Sequence, residues 1–335
     1  MMGILTHPVF LWAVGLLVVP GIILWILSYF VASYCTYKAT LRRTSEDKWG
    51  RELPDDLGEQ PRQMYEIGNE WAQKNASHKE EVHIVRDGLN LYGEYYDLGY
   101  DRVAIVLSGR TESLKYGYYF AIPYAEHGCN VMVLDPRAHG KSDGEFNTVG
   151  FEESQDLIAW IRFLEETRGV TSVVLHGICI GAAGGMLALT AENCPSCIDA
   201  IVTEGMFANF AESVKNHLIE RKKPVFILLD LIDRWMIHYT GHSMKYGPID
   251  VIHRMDKPLL MLHSLEDIYS TPEYAQRLFD LAPHPKKRIV WFAHGKHSML
   301  RITDTELYDR SIGEFLEDVY PTKFHTTTKE EHHVL

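Results

Sequence analysis

Cys179 is the side chain in this sequence best placed for covalent chemistry. It lies in Ser172-Val-Val-Leu-His-Gly-Ile-Cys-Ile-Gly-Ala-Ala-Gly-Gly-Met186, which begins as an apolar β-rich run and leaves as a helix of small residues. Gly177 and Gly181 stand two residues to either side. A tight strand-to-helix turn holds its apical side chain on strained backbone, and the flanking positions approach so closely that they must be small. The pattern is a nucleophile elbow, G-x-S-x-G, with sulfur in place of oxygen. The turn also sets Cys179 at a helix N-terminus, whose partial positive charge favours a thiolate.

A cysteine nucleophile needs a base for its proton and a group that fixes the base's tautomer. The chain supplies an acid and then a histidine downstream of the elbow. Asp267 follows the apolar run Leu259-Leu-Met-Leu-His-Ser, and His297 follows Trp291-Phe-Ala-His-Gly-Lys. Each falls in a loop just beyond a predicted strand, where open α/β sheets gather their sites. His294 is a rival base, and Glu266 and Glu204 are rival acids; the residues alone do not choose among them.

The elements that must position these groups are short β-rich runs alternating with helical ones from Glu80 onward. Strands are expected at Val82–Val85, Leu91–Tyr96, Val103–Leu107, Val131–Leu134, Ser172–Leu175, Ala200–Thr203, Leu259–His263 and Ile289–Phe292. Helices are expected at Tyr118–His127, Phe151–Glu166, Ile180–Glu192, Pro272–Leu281 and Asp304–Val319. Such alternation implies an α/β fold, a mostly parallel sheet with helices on both faces. A helical, apolar run, about 206–254, interrupts it and reads as a lid, with Met206 and Phe207 expected to touch substrate.

Residues 1–37 carry no Asp, Glu, Lys or Arg, and Val9 to Val31 is long enough to span a bilayer as a helix. The segment lacks the basic start of a secretory signal, so it reads as an uncleaved anchor. Lys38, Arg42, Arg43, Lys48 and Arg51 follow it, which orients the rest of the chain to the cytoplasm. Residues 38–79 read as a polar linker with one helical piece, Gln63 to Lys74, residues 80–323 as the domain, and residues 324–335 as a polar tail. The net charge of −12 and the absence of a basic stripe argue against nucleic acid as a partner. Five scattered cysteines make no disulfide framework. The Cys194 and Cys197 pair has no second pair to complete a zinc site, and no cofactor or metal is implied.

Several motifs together resemble the α/β-hydrolase superfamily from about Val103 to Leu316. They resemble in particular its bacterial, membrane-anchored serine aminopeptidase-like members. Ala104-Ile-Val-Leu-Ser-Gly-Arg-Thr111 is similar to a strand ending in H-G-x-T. Val131-Met-Val-Leu-Asp-Pro-Arg-Ala-His-Gly-Lys-Ser142 is similar to D-x-R-G-H-G-x-S, and Asn147-Thr-Val-Gly-Phe-Glu-Glu-Ser-Gln-Asp156 to a G-x-x-E-x-x-D helix start. The resemblance selects Asp267 and His297 and implies an oxyanion hole from the backbone N–H groups of Ile180 and Arg110. The Arg110 side chain itself has two readings, one facing a substrate carboxylate or phosphate and one solvated in its loop. Three positions depart from the pattern: Cys179 for serine, Ser108 for histidine and Ala138 for glycine. A cysteine elbow also occurs in dienelactone hydrolases, whose G-x-C-x-G is similar to Gly177–Gly181.

The resemblance implies acyl transfer on an ester or thioester through Cys179, His297 and Asp267, with a small-molecule or lipid-like acyl substrate. Two alternatives stand beside it. One is a degenerate fold used for binding or scaffolding, which the loss of serine would suit. The other is a peptidase or amidase.

Overall fold

The computed structural model describes residues 8–50 and 58–321. Arg51 and the polar tail lie outside the described residues. In chain order the elements are α1 (Pro8–Leu41), α2 (Glu59–Lys74), β1 (Lys79–Arg86), β2 (Leu89–Tyr96), β3 (Val103–Leu107), α3 (Leu114–Glu126), β4 (Asn130–Leu134), α4 (Phe151–Arg168) and β5 (Val173–Ile178). They continue with α5 (Ile180–Leu189), β6 (Ile198–Glu204), α6 (Phe210–Glu220), α7 (Leu228–Thr240), β7 (Leu259–Ser264), α8 (Pro272–Leu281), β8 (Lys287–Phe292) and α9 (Thr305–Val319). Short helical turns at Pro248–Val251 and Leu300–Thr303 complete them.

All eight expected strands form one sheet in the order β1-β2-β4-β3-β5-β6-β7-β8. β2 is antiparallel to both β1 and β4, and every pairing from β4 to β8 is parallel. Parallel strands are covered on both faces, so their sequences are apolar at every position rather than at alternate ones. β3 shows this directly. Ala104 and Val106 enter the core on one face, Val103 and Ile105 the core on the other. β5 divides the same way, with Val174 and Ile178 on one side and Val173 and Leu175 opposite.

The close packing at the elbow accounts for its glycines. A Cβ on Gly181 would lie 2.1 Å from the Leu107 carbonyl oxygen, and one on Gly177 would lie 2.5 Å from the Ala182 backbone. Neither neighbour is a flexible side chain that could yield, so both positions require glycine.

The run expected to be a lid folds as α6 and α7 followed by short turns, on the side of the sheet where β5, β7 and β8 end. The stretch read as a linker is different from expectation. α1 continues through Tyr37 to Leu41, and both of these side chains are fully buried. Arg43 donates to the carbonyls of Ser142 and Gly140, each at 2.9 Å. Trp49 stacks on His139 with ring centroids 4.7 Å apart. α2 lies against α3 so closely that a Cβ on Gly68 would meet the Tyr119 amide at 2.8 Å. A few large apolar residues, Tyr37, Leu41, Trp49 and Met64, pin a segment whose average composition is polar.

α1 is long and apolar enough to cross a membrane, with a mean hydropathy of 2.2 over its most apolar part. Leu16, Leu17, Leu24 and Trp25 are exposed.

Candidate active site

Cys179 is the hinge between β5 and α5. Its φ of 51° and ψ of −109° are a conformation side chains seldom adopt. Such strain persists where the surroundings over-determine it, and it recurs at working sites. Here the clamp is visible. The Cys179 N–H donates to the Glu204 carbonyl at 2.9 Å, and its own carbonyl accepts from Ala183 within the first turn of α5. The sulfur opens into a cavity of about 510 Å³ bordered by Trp49, Arg110, Glu112, Phe210, His217, Tyr269, His297 and Met299, among others.

His297 comes from the loop after β8 and Asp267 from the turn after β7. His297 Nδ1 and Asp267 Oδ2 are 2.7 Å apart. The other Asp267 oxygen accepts the N–H groups of Tyr269 and Ser270, both at 2.9 Å. With both oxygens engaged, the carboxylate is fixed. The Nδ1 bond leaves Nε2 as the free ring nitrogen, and His297 and Cys179 border the same cavity. Gly205, at φ 59°, leaves room for the ring: a Cβ there would lie 3.0 Å from His297 Cε1.

The electrostatics favour a charged pair. Burial alone would lower the His297 pKa, but the adjacent Cys179 sulfur and the Asp267 carboxylate outweigh it and hold the imidazole well above its usual value. Burial would likewise raise Asp267, yet the His297 charge and hydrogen bonds keep it below the usual carboxylate range. Each partner thus stabilises the ionised form of the other.

The structure separates the rivals. His294 Nδ1 binds Glu266 Oε1 at 2.9 Å, with the histidine side chain 80% exposed. Glu204 is fully buried beneath the site, accepting from the Leu300 N–H at 3.0 Å and the Tyr308 hydroxyl at 2.6 Å. Burial pushes its pKa up to about 7. It braces the loop that carries His297 and belongs to a buried chain in which Tyr308 also contacts His176.

Ile180 is the first residue of α5, so its N–H has no acceptor within the helix. Arg110 lies in the loop after β3 and borders the same cavity. His139 Nε2 contacts the Arg110 carbonyl at 2.5 Å, and the neighbouring Gly109 N–H is held by Glu112 Oε2 at 3.1 Å. The Arg110 guanidinium points into the site and donates to the Thr40 carbonyl at 3.2 Å, in the last turn of α1. Burial lowers its pKa, partly opposed by the charges of Cys179 and Glu112.

Met206 and Phe207 do not reach the cavity. Both are buried in the core, Phe207 with its ring 5.5 Å from that of Phe210. Phe210 is the residue of that segment that lines the site, together with Ser213 and His217 on the same face of α6. His217 stacks on Tyr269 at 3.8 Å, and Tyr269 presents its edge to His297. Burial, with Arg110 and Arg221 nearby, pushes the His217 pKa down to about 4. Glu112 also escaped the sequence reading. Its only signal is that it follows the Gly109 turn by three residues, which is weak. Among the family departures, Ala138 sits at φ 62°, the left-handed conformation for which glycine is the usual residue. Ser108 is buried and donates to the Ser113 carbonyl.

Among the described residues no cluster of His, Cys, Asp and Glu is arranged to hold a metal ion.

A family profile described as alpha/beta hydrolase fold matches residues 104–226. The chain is 29% identical over 210 residues to the uncharacterized protein YqkD of Bacillus subtilis (strain 168), covering 62% of this chain and 67% of that one. It is 23% identical over 167 residues to the lysophosphatidylserine lipase ABHD12 of Danio rerio, covering 48% of this chain and 41% of the lipase. It thus spans less than half of that relative's length. Among solved structures, the Pyrococcus furiosus esterase PF2001 superposes with a TM-score of 0.61 at 21% identity, over 74% of this chain and 93% of that one. Sheet order, elbow and these matches show the α/β-hydrolase fold.

Proposed function

We propose that this chain is a membrane-anchored hydrolase that cleaves a carboxylic ester or thioester through a covalent acyl-cysteine. The observation that carries the reading is that Cys179 and His297, remote in sequence, border one cavity, with Asp267 bonded to His297 from behind. The Cys179 thiolate attacks the acyl carbonyl. The negative oxygen that forms is held by the N–H groups of Ile180 and Arg110, donors typically worth about 3 kcal/mol each to a transition state. As the tetrahedral intermediate collapses, His297 Nε2 gives its proton to the departing alkoxide or thiolate, and the acyl group stays on sulfur. His297 then takes a proton from water, and the resulting hydroxide attacks the acyl-cysteine carbonyl. The acid leaves, and the thiolate–imidazolium pair is restored.

An apolar lid, an apolar anchor and the similarity to the lysophosphatidylserine lipase of Danio rerio support a lipid-like acyl substrate. Lys38, Arg42, Arg43 and Lys48 beyond the span support a cytoplasmic catalytic domain. The test is to treat the full-length protein with a chromogenic acyl ester and quench within one turnover. Mass spectrometry should find the acyl group on the peptide containing Cys179 and none in Cys179→Ala. Absence of any adduct together with absence of turnover would instead favour a binding or scaffold role, which the replacement of serine allows.

A further inference from the structure

α7 lies along α1 and runs in the same direction. Trp235 donates through Nε1 to Ser33 Oγ at 3.0 Å and packs its ring against Phe30 and Tyr34. One turn later Tyr239 stacks on Tyr37. Leu228, the first residue of α7, precedes Trp235 by seven residues, about 10 Å of helix. The start of α7 is therefore level with roughly residues 24–26 of α1. That level lies inside the apolar stretch Val9 to Val31, about 8–10 Å from its C-terminal end.

What occupies that level is the connection from α6 to α7, Arg221-Lys222-Lys223-Pro224-Val225-Phe226-Ile227. Phe226 is 83% exposed, and Ile219 at the end of α6 is also exposed. Lys222 and Lys223 are exposed beside them. A bulky apolar tip flanked by lysines, held beside a bilayer-length helix, has the composition of an interfacial membrane contact, which penetrates about 5–10 Å. The lysine stems can lie along the acyl boundary with their charges among anionic headgroups. Asp230, ion-paired with Lys245, and Arg234 limit the insertion to that shallow depth, because they hold charged groups on the outer face of α7. The same α6 lines the cavity through Phe210, Ser213 and His217.

We propose that the 221–227 connection and the first turn of α7 sit in the headgroup layer of an anionic bilayer, making the lid a membrane-facing entrance for lipid-like substrate. The inference rests on reading α1 as a membrane span, and its test keeps the two apart. An environment-sensitive fluorescent amino acid is placed singly at position 26, 226 or 192 of the full chain. The protein is reconstituted in phosphatidylglycerol–phosphatidylethanolamine vesicles with or without lipids carrying a quencher near the headgroup end of the acyl chain. Emission at 26 and at 226 should fall about two-fold or more with the quencher, and emission at 192, beyond the far end of α5, should not change. Quenching at 26 without quenching at 226 overturns the lid contact alone. Loss of quenching at both overturns the membrane reading and the lid contact with it. Lys222→Glu with Lys223→Glu should weaken quenching at 226 and leave 26 unchanged; unchanged quenching at 226 overturns the part assigned to lysine and anionic lipid.

Discussion

Two acid–histidine pairs stand side by side in this molecule. Asp267 binds His297 at 2.7 Å and Glu266 binds His294 at 2.9 Å, from the same two loops. By contact distance they are nearly equivalent. They differ in what surrounds them. The His297 side chain is 15% exposed and borders the cavity that Cys179 also lines, whereas His294 is open to water and is not part of that cavity's wall. A carboxylate–imidazole bond alone is thus a common surface feature of small net value. It becomes machinery when burial removes the competing water and a third group uses the ring's other nitrogen.

Breaking the inner pair should therefore be far more damaging than breaking the outer one. Cys179→Ala and His297→Ala should each cost about 10⁴-fold or more in kcat on the best ester found, measured with protein whose thermal unfolding is unchanged. Asp267→Asn should follow with a loss of about 10³–10⁴-fold, because the amide can hold the ring in the wrong tautomer. Gly181→Ala removes the platform under the inner pair. Forcing a methyl group toward the Leu107 carbonyl should destabilise the fold by about 3 kcal/mol or more, read from the denaturation midpoint.

The charge coupling gives a further test with a defined sign. His297 is held above its usual pKa, so its contribution to stability is complete below an unfolded value of about 6.5 and is lost as pH rises through the raised folded value. Asp267 is held below its usual value, so its contribution is present above an unfolded value of about 3.9 and is lost as pH falls through the depressed one. In Cys179→Ala the largest charge raising His297 disappears. Its ring resonances should then titrate at lower pH than in the parent, as observed by NMR. At the small end, Glu266→Gln and His294→Ala should leave turnover within about two-fold. A large loss there would erase the distinction between the pairs.

The elbow, the strands behind it and the placing of Asp267 and His297 just beyond strand ends were legible because each leaves a local trace: a glycine pair, an apolar run or a loop after a strand. The order of those strands in the sheet leaves no such trace. The cavity wall was not. Phe210, Ser213 and His217 line it because one face of α6 happens to turn inward, and nothing in the neighbouring sequence distinguishes them from Met206 and Phe207, which go to the core. Glu112 was hidden for a similar reason, since a backbone-bound carboxylate three residues after a glycine is an ordinary turn. The stretch 38–79 misled through averaging. Its polar composition describes most of its residues, but Tyr37, Leu41, Trp49 and Met64 decide where it sits.

The bond from the Arg110 guanidinium to the Thr40 carbonyl has a practical corollary. Protein trimmed to begin near Glu80, the natural choice for crystallisation or assay, would lose the Thr40 acceptor, the indole resting on His139 and the helix covering α3. Rates recorded on that fragment would describe a loosened Arg110 loop, and a silent fragment would say little about the full chain.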